Sequence, residues 1–105
     1  MGNHSAHERL DCFHMAMGVA QWVRKARFPA GDAALRDQMK RASSSVVLNI
    51  AEGASASKGN RRKHFNIAAA SAAEAAAGLT LLDLPGAAEH VGKLRSVARM
   101  LDFVR

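Results

Sequence analysis

The segment "SKGNRRKH" (57–64) places Lys58, Arg61, Arg62, Lys63 and His64 within seven consecutive positions. Guanidinium and ammonium groups at this density are suited to phosphate, arginine through forked hydrogen bonds and lysine as a point charge. Where such a segment opens a helix, its cations oppose the helix dipole and cost about 0.3–1 kcal/mol at low salt. The free N–H groups of the same turn, however, point at any anion held there. A local penalty kept beside an anion-binding geometry favours phosphate contact over a merely solvated turn. Arg24, Lys25 and Arg27 form a second basic group in the sequence, at the close of a helical segment where cations complement the dipole. Together the eight residues are the candidate nucleic-acid-binding set.

Other residue types capable of chemistry do not assemble into a reactive pattern. Glu52 and Glu74 could act as a carboxylate pair, but no nucleophile or metal cluster accompanies them. A hydrogen-bonded network between helices is the better reading. His4, His7, Cys12 and His14 are ligand types whose spacing matches no closed zinc pattern. Ser43, Ser44 and Ser45 lack a nearby histidine and a nucleophile-elbow context. The expectation is a protein without catalytic residues, metal or cofactor.

Four helical segments must carry these residues. "RFPAGD" (27–32), "SASKGN" (55–60) and "LPG" (84–86) are the breaks. Between them the sequence predicts helices over Glu8–Arg27, Asp32–Ala54, Asn60–Leu84 and Gly86–Val104, with Asp32 and Asn60 as N-caps. Residues 1–7 are expected as a flexible arm and 8–105 as one bundle domain. Short links between long helices imply an all-α, antiparallel, up-down-up-down four-helix bundle.

On the second segment Leu35, Met39, Ala42, Val46 and Ile50 form an apolar stripe, and Gln38, Arg41, Ser45, Asn49 and Glu52 form a polar row along its edge. Glu74 sits in the alanine-rich run 68–78 with few polar neighbours on its own helix, so it needs a partner from elsewhere. Arg41 and Asn49 are the expected partners. The six residues Gln38, Arg41, Ser45, Asn49, Glu52 and Glu74 constitute the expected structural polar network.

The first and third segments are apolar around too much of their circumference for one core. Met15 and Trp22 extend the first beyond its seam, and Ile67 and Leu81 lie nearly opposite the seam of the third. Helices apolar on both sides are buried on both sides, so these four residues are the expected oligomer interface. The chain has 15 Lys and Arg against 9 Asp and Glu, a formal charge of +6 that attracts polyanions. One cysteine provides no intrachain disulfide and fits a reducing cytoplasm. No signal peptide is evident, and no apolar run is expected to approach the ~18 residues of a membrane span.

"FPAGDAALRDQMKRASSSVVLNIAEG" followed by "RRKHFNIAAASAAEAAAGL" resembles the four-helix-bundle family of 23S rRNA intervening-sequence proteins. That group includes the accessory variability determinants of diversity-generating retroelements. The carrying positions are Phe28 and Pro29, Gln38, Arg41 and Ala42, Ser45 and Val46, and Asn49 through Gly53. On the next helix they are Phe65, Ala68, Ser71 and Glu74. The likeness spans about residues 15–105. It departs where an acidic residue usual after Phe-Pro is displaced to Asp32, and where Ala70 replaces a glycine. The resemblance implies a homopentameric barrel with a basic surface. In the retroelement members that barrel binds a reverse transcriptase and its template RNA.

Two functions follow as expectations. The first is a non-enzymatic, cytoplasmic, nucleic-acid-associated oligomer that contacts backbone phosphates, with RNA ahead of DNA, as an accessory to a reverse transcriptase. The second is an interaction scaffold whose basic face docks an acidic protein without touching nucleic acid.

Overall fold

A computed structural model describes the backbone of residues 2–104 and the surroundings of residue 7 and residues 9–102. All the regular structure among them is helical: α1 (Gly2–Lys25), α2 (Ala33–Ser55), α3 (Lys58–Leu82) and α4 (Ala87–Val104). A single 3₁₀ turn, Ala30–Asp32, precedes α2. Helical backbone extends back to Gly2, ahead of the start expected at Glu8. The side chains of 1–6, including His4, and the flexibility expected of that arm lie outside the described residues.

The third helix runs from Lys58 to Leu82 rather than from Asn60 to Leu84. Asn60 does not cap α3; it lies inside the first turn, and Ser57 holds the cap position without a side-chain bond. The link between α2 and α3 is therefore only Ala56 and Ser57. Asp32 precedes α2, likewise without a capping bond from its side chain. At the far end of α3, Asp83 adopts the left-handed conformation (φ 51°), and its N–H bonds the Leu79 carbonyl at 3.1 Å. Asp tolerates that region better than most residues. Gly86 (φ 83°) completes the turn, at a conformation open to glycine and closed to most side chains.

α1 packs on α2 and α4, and α3 packs on the same two. The four thus enclose one core, in which Phe65, Met39, Ile50, Leu79, Leu94 and Leu101 are the largest fully buried side chains. The seam read from α2 is that core stripe: Met39, Ala42, Val46 and Ile50 are all buried. Pairings that ascend α2 descend α3, as Gln38 meets Glu74, Ser45 meets Ser71 and Asn49 meets His64. Small side chains set the closeness of this pair. A β-carbon added at Gly53 would lie 2.5 Å from Phe65 Cε1, so only glycine lets α3 approach there.

By length and composition α3 is apolar enough to cross a membrane. Its alanines raise the average without forming an unbroken apolar run. In the bundle, Phe65, Ala68, Ala72, Ala75, Ala76 and Leu79 are buried against its neighbours.

Candidate nucleic-acid interface

The basic segment 58–64 forms the first two turns of α3. No side chain caps the N–H groups of its opening turn, while the Arg61 N–H reaches the Ser57 carbonyl at 2.7 Å. Lys58, Arg62 and Lys63 are exposed, and Arg61 and His64 are half-buried. Arg61 has a second task that its spacing does not reveal. Its Nε donates to the Gly53 carbonyl at 3.3 Å, satisfying an acceptor in the last turn of α2. Its terminal nitrogens are not engaged by that bond. Uncapped N–H groups beside three outward cations are chemically matched to a phosphate.

Arg24, Lys25 and Arg27 are exposed but belong to the opposite end of the bundle. Trp22, in the last turn of α1, lies against Gly86 and stacks on His90, both beyond the C-terminus of α3. Helical rise over the 25 residues of α3 separates that end from Lys58 by about 36 Å. The structure therefore divides the eight candidate residues into two groups rather than one patch. Arg95 and Arg99 are further exposed cations, one turn apart on α4 beside the alanines of α3. Their four-residue spacing was visible in the sequence.

The polar row forms bonds within one subunit, with partners other than those expected. Glu74 is exposed, and its Oε2 accepts from Gln38 Nε2 at 2.9 Å; neither Arg41 nor Asn49 bonds it. Arg41 instead lines a shallow recess with Gln38, Ser45, Ser71 and Glu74. The Ser45 and Ser71 hydroxyls are 2.8 Å apart. Asn49 Nδ2 donates to the Ser45 carbonyl (2.9 Å) and hydroxyl (3.1 Å), and its Oδ1 faces His64 Nδ1 at 3.0 Å. Glu52 is exposed and outside this chain of bonds. Ser43 is buried and returns its hydroxyl to the Met39 carbonyl at 2.8 Å, a packing role.

Of the four expected interface residues, Leu81 is 75% exposed and Ile67 39%. Met15 and Trp22 are half-buried against the core. Leu48 (63%) is a further large exposed apolar residue, and Leu10 (54%), which the sequence places in the core seam of the first helix with Phe13, Met17 and Ala20, is exposed as well. Among the described residues no three His, Cys, Asp or Glu side chains come together as a metal group.

The Trp22–His90 stack was also not legible in the sequence. The rings lie 4.3 Å apart at 21°, His90 is buried, and its Nδ1 has no partner. Burial, reinforced by Lys93 and opposed by Glu89 (Oε2 3.6 Å from Nε2), pushes the imidazolium below the ordinary histidine range. The unfolded chain then takes up the proton first. Stability is full above that range and falls as pH drops through about 6.5 toward the lower native value. Thermal melts should show a falling Tm between pH 7.5 and 5.5, with His90→Phe flattening the decline. An unaltered decline in that variant would assign it to other groups.

A family model described as 23S rRNA-intervening sequence protein matches residues 8–97, from the first helix into the fourth. No curated protein and no solved structure matches the chain.

Proposed function

The chain belongs to the family of 23S rRNA-intervening sequence proteins, and from that membership we propose a non-enzymatic, self-associating bundle that binds RNA through its phosphates. The observation that carries this reading is the opening of α3, where Lys58, Arg62 and Lys63 are exposed around uncapped N–H groups. Trp22, the sole tryptophan, is half-buried with one face stacked on His90, and Phe65 is fully buried, which leaves little aromatic surface for bases. Contacts are thus to the backbone, with little base readout.

In this reading the helices run up-down-up-down and subunits associate through Ile67 and Leu81, with Leu48 and Leu10 adding exposed apolar area. The family resemblance implies five copies and, in its retroelement branch, action beside a reverse transcriptase, while the single cysteine fits a cytoplasmic setting. Repetition around an axis turns weak phosphate contacts into one polyvalent surface.

Fluorescence anisotropy of the purified protein with a labelled RNA hairpin tests the proposal. Six to ten phosphate contacts across the assembly would weaken binding about 10³–10⁵-fold between 50 and 200 mM salt. Light scattering on the same sample should report a multiple of the 11.2 kDa chain. Absence of RNA binding, with retention of an acidic polypeptide in pull-down, would overturn RNA binding in favour of a protein-docking scaffold.

A further inference from the structure

The bonds that tie α2 to α3 fix one histidine tautomer. The Ser45 carbonyl oxygen can only accept, so the Asn49 nitrogen that meets it at 2.9 Å is the amide NH₂. Asn49 Oδ1 therefore faces His64, and an amide oxygen can only accept as well. The 3.0 Å contact requires the proton on His64 Nδ1. In the neutral ring Nε2 is then left with a lone pair. Among the described residues the one buried side-chain nitrogen or oxygen without a partner is His90 Nδ1. His64 is half-buried, and its Nε2 has no hydrogen bond among the described residues.

We propose that Asn49 positions His64 as a proton-gated phosphate ligand, which binds through Nε2–H only as the imidazolium. The proposal rests on the phosphate-binding reading of α3 and deepens it. With Nδ1 committed to Asn49, the neutral ring presents a lone pair to an incoming phosphate oxygen and repels it. Protonation converts that same atom into a charged donor and leaves the Asn49 bond intact. His64 lies one turn beyond Arg61, and both residues dock on the end of α2, at Asn49 and at the Gly53 carbonyl. The titratable and charged groups at this end include Lys58, Arg61, Arg62 and Lys63 on α3, Glu52 on α2, Asp102 near the end of α4, and His7, Arg9, Asp11 and His14 on α1. Arg9 lines a pocket with Ala51 and Ala54 of α2. Histidine is the side chain whose charge ordinarily changes between pH 5 and 8. Phosphate binding that takes up one proton per site strengthens as pH falls, by at most about tenfold per pH unit.

The experiment combines RNA binding with ring spectroscopy. Affinity for a fluorescein-labelled RNA hairpin is measured by anisotropy from pH 8 to 5.5 at fixed ionic strength. The expected result is a several-fold rise toward low pH that His64→Gln abolishes. Asn49→Ala, by freeing Nδ1, lets the neutral ring carry Nε2–H and should shrink the slope. RNA binding with no pH slope, or a slope untouched in His64→Gln, overturns the gate while leaving the RNA reading intact. A slope unchanged in Asn49→Ala overturns the positioning role. No RNA binding at any pH overturns both. Independently of RNA, long-range ¹H–¹⁵N spectra above pH 8 should show His64 as the Nδ1–H tautomer; an Nε2–H ring overturns the inference.

Discussion

Replacing Arg61, Arg62 and Lys63 together with glutamine is expected to remove about two to three units from the slope of log affinity against log salt. Each neutralised phosphate contributes roughly 0.7–0.9 to that slope, and three cations per subunit are lost, so the two to three units apply to each subunit that touches the RNA. Between 50 and 200 mM salt the variant should therefore escape, for each such subunit, about 20- to 40-fold of the weakening that the native protein shows. Arg61 complicates the comparison, because its Nε also serves the Gly53 carbonyl at the end of α2. The Arg62→Gln/Lys63→Gln pair resolves this, since both residues are exposed on the same turns. It should retain the native melting behaviour and show about two-thirds of the triple variant's slope change. A slope equal to the native one in both variants would place the phosphate contacts elsewhere, with Arg24, Lys25 and Arg27 at the opposite end next in line.

The second large effect concerns two glycines whose substitution by alanine should act with opposite sign. Alanine is favoured over glycine inside a helix by about 1 kcal/mol. At Gly53 the added carbon would fall 2.5 and 2.6 Å from ring atoms of Phe65, which is fully buried, and 3.3 Å from His64 Cβ. The ring has no room to withdraw, so α2 and α3 must separate. Overpacking of this kind costs about 1–3 kcal/mol, and the displacement also disturbs the Asn49–His64 bond one turn away. Gly53→Ala should lower Tm by roughly 5–10 °C. At Gly78 the nearest atoms are Met39 Cε and Sδ, the far end of an unbranched side chain. Methionine adapts to irregular space, so Gly78→Ala should leave Tm unchanged or raise it by a few degrees. Thermal unfolding followed by circular dichroism reads both. Equal losses at the two sites would show that helix separation, rather than the rigidity of the neighbour, decides the outcome.

Features confined to one helix were readable from the chain. Proline, glycine and short polar runs located all three connections, and the three-and-four spacing of Met39, Ala42, Val46 and Ile50 identified a stripe that is buried. Such periodicity is a property of a single helix and needs no partner. The exposure of Ile67 and Leu81 follows from the same geometry, because they lie across the helix from Phe65 and Leu79. The cap of α3 was misplaced by three residues, since Asn60 has the residue type of a cap while Ser57 occupies the position. Cap preference is weak information where the chain has only two residues in which to turn.

Which residue meets which across helices was decided by the tertiary structure alone. The sequence required a partner for Glu74 and pointed to Arg41 and Asn49, whereas the fold leaves the carboxylate exposed and bonds it to Gln38, a pairing set by the register between α2 and α3. The stack of Trp22 on His90 joins residues 68 positions apart and carries no local pattern. The distribution of charge was decided the same way: composition gave +6, and the length of α3 then separated the two basic groups by about 36 Å. Helix formation depends on neighbours within four residues, whereas packing depends on rotation and register between whole elements, to which every side chain in the seam contributes.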